Sequence, residues 1–115
     1  MIEVEKEENI VPRALLIGEP GNDLQELKGL VQTLGFDIIQ RLTLSRMEVQ
    51  PAYGMGKGKA QEICDLAHQI EADCIIFDFN LDPRKQRNWE ELTNLSCFDR
   101  QEVIIRIFAD RAQTK

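Results

Sequence analysis

The sequence predicts an α/β fold: a small open and mainly parallel sheet of about four strands, in the order 2-1-3-4, with helices on both faces. Three observations carry that expectation. Short apolar runs alternate with amphipathic helical stretches from Arg13 onward without interruption, and right-handed crossovers through helices are how parallel strands are joined. The run Asp73–Phe79 (DCIIFDF) is apolar enough to be buried on both faces, as parallel strands are. Turn and cap residues sit at the junctions between the two kinds of segment.

The elements follow in order. Arg13–Gly18 (RALLIG) is a strand ended by the turn Gly18-Glu19-Pro20-Gly21. Asn22 or Asp23 then caps a helix with Leu24, Leu27, Leu30, Val31 and Leu34 on one face, and Gly35 ends it. Phe36–Leu44 is the second strand. Ser45–Tyr53 has no periodicity, contains Pro51, and leads into the glycine and lysine alternation Gly54-Met55-Gly56-Lys57-Gly58-Lys59. A second helix spans Lys59–Glu71, its Ala60, Ile63, Cys64, Ala67 and Ile70 facing a core. After the strand Asp73–Phe79, Asn80 and Asp82-Pro83 supply helix-start chemistry, and that helix runs to about Asn94 with Trp89 and Leu92 in the core. Ser96–Asp99 is a brief fourth strand, and Gln101–Gln113 is the last helix, with Val103, Ile104, Ile107, Phe108 and Ala112 inward. No repeat or linker interrupts this, so one domain is expected over 13–115, preceded by a flexible acidic tail over 1–12.

Composition bounds the function. With 43% hydrophobic and 30% charged residues the chain reads as a soluble globular protein, and no apolar run approaches the ~20 residues that span a bilayer. The acidic start is the opposite of a secretory signal, so a cytoplasmic location and no membrane partner are expected. Cys64, Cys74 and Cys97 form no Cys-x-x-Cys pair and sit among apolar neighbours, as structural thiols do. The net charge of -6 argues against a nucleic-acid partner, but its distribution argues otherwise. Glu3, Glu5, Glu7 and Glu8 against Lys6 make the start acidic, whereas Arg41, Arg46, Lys57 and Lys59 face Glu48 alone, and Arg84, Lys85 and Arg87 face Asp82.

The glycine and lysine stretch looks like a phosphate loop without matching the well-known ones. A Walker A loop ends in Gly-Lys-Ser/Thr, yet Ala60 follows Lys59, and counting Gly-x-Gly-x-x-Gly from Gly54 puts Lys59 in the last position. In a parallel sheet every strand-to-helix loop lies at the carboxyl edge, where the following helix points its N-terminus. The basic segments therefore converge on one rim. The candidate contacts to nucleic acid or phosphate are Arg46, Gly54, Gly56, Lys57, Gly58, Lys59, Arg84, Lys85, Gln86, Arg87, Asn88 and Arg100, of which Gln86 and Asn88 read RNA or cap locally. No catalytic residue or metal ligand is expected: Asp99 caps the last helix, and His68 stands alone. Asp78 at a strand end is similar to the phospho-acceptor of response-regulator receivers, but the acidic pair after the first strand and a fifth strand with lysine are missing.

The series Tyr53-Gly54-Met55-Gly56-Lys57-Gly58-Lys59-Ala60-Gln61-Glu62-Ile63, Ile75-Ile76-Phe77-Asp78, Leu81 to Glu90, Asp99-Arg100-Gln101-Glu102 and Ile107 to Ala112 resembles the N-terminal domain of HflX-type GTPases, with Asp82 and Trp89 among the departures. The resemblance covers roughly Arg13 to the C-terminus. It implies a non-catalytic, regulatory and ribosome-contacting module, with large-subunit rRNA as partner and a role in splitting or rescuing ribosomes under stress. It also implies a separate P-loop GTPase domain, in cis or in trans, where GTP and Mg²⁺ would bind, with no cofactor in this chain. A helical hairpin would begin about where the chain stops, and whether the chain is a piece or free-standing stays open, as does its oligomeric state. A small-molecule nucleotide or phosphate binder using the same rim is the alternative.

Overall fold

A computed structural model describes residues 11–47 and 50–113, with side chains through 109. The acidic tail up to residue 10, Glu48, and the inward placement expected for Ala112 lie outside the described residues. In chain order the elements are β1 (Arg13–Gly18), α1 (Gln25–Leu34), β2 (Asp37–Thr43), α2 (Lys57–Gln69), β3 (Cys74–Phe77), α3 (Pro83–Thr93), β4 (Ser96–Asp99) and α4 (Arg100–Gln113). The four strands form one sheet in the order β2-β1-β3-β4, all pairings parallel, as the alternation predicts. An irregularity between Ala14 and Leu15 lets β2 slip one residue, so that Ala14 faces Ile38 but Leu15 faces Gln40.

The two central strands are apolar because both their faces are covered. Leu15, Ile17, Ile75 and Phe77 point to a layer of α2 and α3, where they meet Ala60, Ile63, Ala67 and Trp89. Ala14, Leu16, Cys74 and Ile76 point to the opposite layer and meet Leu27 and Val31 of α1, Val103 of α4, and Phe98. Trp89 fills the first layer with no exposed surface; its indole lies 4.8 Å from the Phe77 ring and 5.4 Å from Tyr53.

Three sequence expectations are corrected. Helix α2 begins at Lys57, not Lys59: Gly56 is its N-cap, in extended conformation, and the Ala60 N–H already donates to the Gly56 carbonyl at 3.0 Å. Lys57-Gly58-Lys59 is thus the first helical turn rather than loop, where glycine weakens the helix but does not end it. Neither Asn22 nor Asp23 is the N-cap of α1; that position is Leu24, at φ 65, while the two side chains accept from the backbone N–H groups two residues on, at 2.8 and 3.1 Å. Phe108 is not in the core but 64% exposed; Val103 and Ile107 are the α4 side chains that turn toward the sheet.

Candidate functional site

The parallel topology aims the N-termini of α2 and α3 at the same carboxyl edge, on the same face of the sheet. Segment 50–56 runs between them and is pinned to α3. The Asn88 amide donates to the Ala52 carbonyl at 2.9 Å, and the Trp89 indole N–H donates to the Tyr53 carbonyl at 3.0 Å. Gly54 sits at φ 80, a conformation costly for residues with a Cβ, and the Lys85 methylenes and the Phe79 ring lie over it. The two basic clusters are therefore neighbours held by one buried tryptophan.

On the α2 side, Ser45, Arg46, Met55, Gly56 and Lys59 line an open cleft of about 350 Å³. Among the described residues no side chain caps α2, whose first turn carries no acidic residue, so the N–H groups following Gly56 face the edge. Lys59 is half exposed and pairs with Glu62 at 3.2 Å, a surface contact of small energy that a phosphate can displace. Lys57 and Gly58 are exposed beside it.

On the α3 side, Asp82 is a true N-cap: its carboxylate accepts the Lys85 N–H at 2.8 Å, and this bond above all holds its pKa below the ordinary carboxylate value. The Lys85 ammonium reaches the same carboxylate at 3.3 Å. Arg84 and Arg87 are exposed and have no carboxylate within ion-pair distance among the described residues. Gln86 donates to the Cys97 carbonyl at 2.9 Å, so its amide, like that of Asn88, ties α3 to its neighbours. Arg100 belongs to the opposite layer and is bound to Glu26 of α1 at 2.6 Å. The structure thus gathers Arg46, Gly54, Gly56, Lys57, Gly58, Lys59, Arg84, Lys85, Gln86, Arg87 and Asn88 on one side of the rim and places Arg100 on the other.

Where the strand order reverses, between β1 and β3, the edge is closed by a contact the sequence did not suggest. The Asn22 amide donates to Asp78 Oδ2 at 2.5 Å, its Oδ1 accepts the Leu24 N–H, and its carbonyl accepts the Thr43 hydroxyl at 2.9 Å. One residue joins the ends of three strands and fixes the left-handed Leu24. Replacing Asn22 with Ala leaves Asp78 and the Leu24 N–H short of a partner, and should lower unfolding free energy by about 2 kcal/mol. An unchanged urea midpoint in that variant would rule out such a junction.

Chemically the rim offers cations and helix N–H groups, which suit an anion. His68 Nε2 is taken by the Thr93 carbonyl at 2.7 Å, and Asp99 caps α4 through the Glu102 N–H at 3.1 Å while accepting the Leu81 N–H at 2.9 Å. Burial pushes the Cys74 and Cys97 thiols up to about 12, out of nucleophilic range. Among the described residues no three potential metal ligands cluster, and no helix is long and apolar enough to cross a membrane. The P-loop hydroxyl that would hold Mg²⁺ has no counterpart here, since the residue after Lys59 is the buried Ala60.

A family described as GTP-binding GTPase N-terminal matches residues 21–109. GTPase HflX of Akkermansia muciniphila is 38% identical over 124 aligned residues, which take in all of this chain and 28% of that protein. GTPase HflX of Escherichia coli K12 is 40% identical over 92 residues, 80% of this chain and 22% of its own length. The chain spans about a quarter of the length of these relatives. In fold it is similar to SsGBP in its GDP complex, with a TM-score of 0.71 over 91% of this chain and 31% of that one at 21% identity. A GTP-binding protein of Sulfolobus solfataricus, also with GDP, gives 0.65 over 84% of this chain and 30% of that one at 17% identity. With a family match over residues 21–109 and a relative 38% identical across all of the chain, this chain belongs to the N-terminal domain family of HflX-type GTPases.

Proposed function

We propose that this domain is a non-catalytic docking and regulatory module of an HflX-type GTPase, and that its basic rim engages rRNA phosphates of the large ribosomal subunit during ribosome splitting or rescue. The observation that supports the reading is the juxtaposition of two basic helix starts. Lys57, Lys59, Arg84 and Arg87 lie on one edge, joined through segment 50–56, with the α2 N-terminus, uncapped among the described residues, between glycines. Glycine lets a sugar-phosphate backbone approach closely, and cations without sequence-reading partners suit phosphate rather than base edges. GTP and Mg²⁺ belong, on this reading, to a separate GTPase domain in cis or in trans.

The test is ribosome pelleting across a salt series. Four neutralised phosphates imply a loss of about two orders of magnitude in affinity between roughly 50 and 200 mM salt. Lys57→Ala with Lys59→Ala should weaken binding about tenfold and flatten the slope of log affinity against log salt by about 2. Pelleting indifferent to salt or to those lysines would end the reading. The cleft beside Ser45, Arg46 and Lys59 favours a second one, a free phosphate or nucleotide held without the ribosome. A thermal shift with millimolar nucleotide in the absence of ribosomes supports that reading, and no shift removes it.

A further inference from the structure

Lys85 is a cation that the fold turns back on itself. Its methylenes lie over Gly54, 3.9 Å from where a Cβ there would stand, and its ammonium returns to Asp82 Oδ2 at 3.3 Å. The other oxygen of that carboxylate, Oδ1, accepts the Lys85 N–H at 2.8 Å. Backbone and side chain of one residue thus clasp the same carboxylate from both ends, and the Lys85 side chain is only 26% exposed. Arg84 and Arg87 beside it are exposed, with no carboxylate within ion-pair distance among the described residues.

The pair of Lys59 with Glu62 has the same i, i+3 spacing and nearly the same length, 3.2 Å, but not the same anchorage. Glu62 is 72% exposed and reaches Lys59 through a longer, freer chain, so it can swing aside when a phosphate arrives. Asp82 cannot. As the N-cap of α3 it is held by a backbone N–H, and Pro83 after it fixes the first helical residue. It is also the only acidic residue of the sequence between Asp78 and Glu90, so the carboxylate amid Arg84, Lys85 and Arg87 is a fixed one.

We propose that Asp82 is a positioning residue for the rim's anionic partner: its anchored carboxylate withholds Lys85 and repels an incoming phosphate, so RNA affinity stays below what the rim's cations alone would give. The inference rests on the reading of the rim as a surface for RNA phosphates. Like charges about 4 Å apart repel measurably even through water, and more at a protein surface. A lysine that keeps its own carboxylate neutralises no phosphate and adds nothing to the salt dependence of binding.

The experiment pellets the 115-residue chain and its variants with purified large ribosomal subunits from roughly 50 to 200 mM salt, and measures their melting temperatures alongside. Asp82→Asn keeps a side-chain oxygen for the α3 cap and removes the charge, so the melting temperature should stay within about 2 °C. Affinity near 100 mM salt should rise at least about threefold, and the slope of log affinity against log salt should steepen by about 1. Glu62→Gln removes the same charge from the yielding pair and should raise affinity by less than about twofold. Lys85→Ala should cost at least about threefold more in the Asp82→Asn background than in the wild-type chain. Equal gains from Asp82→Asn and Glu62→Gln would reduce the effect to net charge and overturn the proposal, as would an unchanged slope in Asp82→Asn. A wild-type chain that pellets without salt dependence removes the rim reading and this inference together, whereas a salt-dependent wild type with no gain in Asp82→Asn removes this inference alone.

Discussion

Trp89→Ala should lower unfolding free energy by about 3–5 kcal/mol, enough to remove a third or more of the stability of an ordinary domain. The side chain is fully buried and packed between Phe77 of the central strand and Tyr53 of the segment before the glycines, so its loss opens a cavity that neither a strand nor a pinned turn can fill. It also removes the N–H that holds the Tyr53 carbonyl at 3.0 Å, leaving the Asn88 amide to tie segment 50–56 to α3. Two readouts should therefore move together: the urea midpoint falls, and protease cleavage within 50–56 rises. Trp89→Phe keeps most of the ring packing and loses the hydrogen bond, so it should cost about 1–2 kcal/mol yet raise cleavage in the same segment. A variant that loses stability while 50–56 stays resistant would show that the tryptophan supports the core without organising the rim.

That coupling between core and rim explains how far the sequence could be read. Strand β4 was legible to the residue as Ser96–Asp99 because it is short, apolar at Cys97 and Phe98, and closed by the capping Asp99. The sheet order was legible because unbroken alternation of strand and helix leaves few topologies open. Trp89 as core was legible from its register with Leu92, both on the α3 face that meets the sheet. What escaped was long-range. The bonds of Asn22 to Asp78, Asn88 to Ala52 and Gln86 to Cys97 join segments with no shared local pattern, so Gln86 and Asn88 looked equally suited to RNA or to a cap. The α2 start was misjudged for a local reason: glycine reads as a breaker, yet at the first helical turn Gly58 has open space around it and only a propensity cost. Periodicity points Phe108 inward because it marks an apolar face without saying what covers it.

The alkaline limb of stability should be steep, and its cause is the pair of thiols at the sheet. Cys74 and Cys97 lie on adjacent strands, with burial as the main reason that their pKa values rise from 9.0 to about 12. Neighbouring Asp73 adds to the effect at Cys74, while the hydrogen bond with Thr93 moderates it at Cys97. Below pH 9 both thiols are protonated in either state and contribute no pH dependence. Between about 9 and 12 the unfolded chain releases both protons while the folded chain keeps them, so the unfolded state binds fewer protons and stability falls as pH rises. Each thiol costs about 1.4 kcal/mol per pH unit in that window, and two cost about 5 kcal/mol by pH 11, comparable to the whole stability of a marginal domain. Urea midpoints measured under reducing conditions from pH 8 to 10.5 should decline accordingly. Cys74→Ala and Cys97→Ala each leave a small void that shifts the curve down at every pH, but each should reduce its slope above pH 9, and the double variant should remove most of it, leaving the part that burial of Cys64 contributes. Slope is the decisive quantity, because a void lowers stability equally at pH 8 and pH 10.5 whereas a missing thiol changes only the proton count. If the double variant keeps the wild-type slope, the alkaline loss comes from other groups, and the thiols are packed without the desolvation their burial implies.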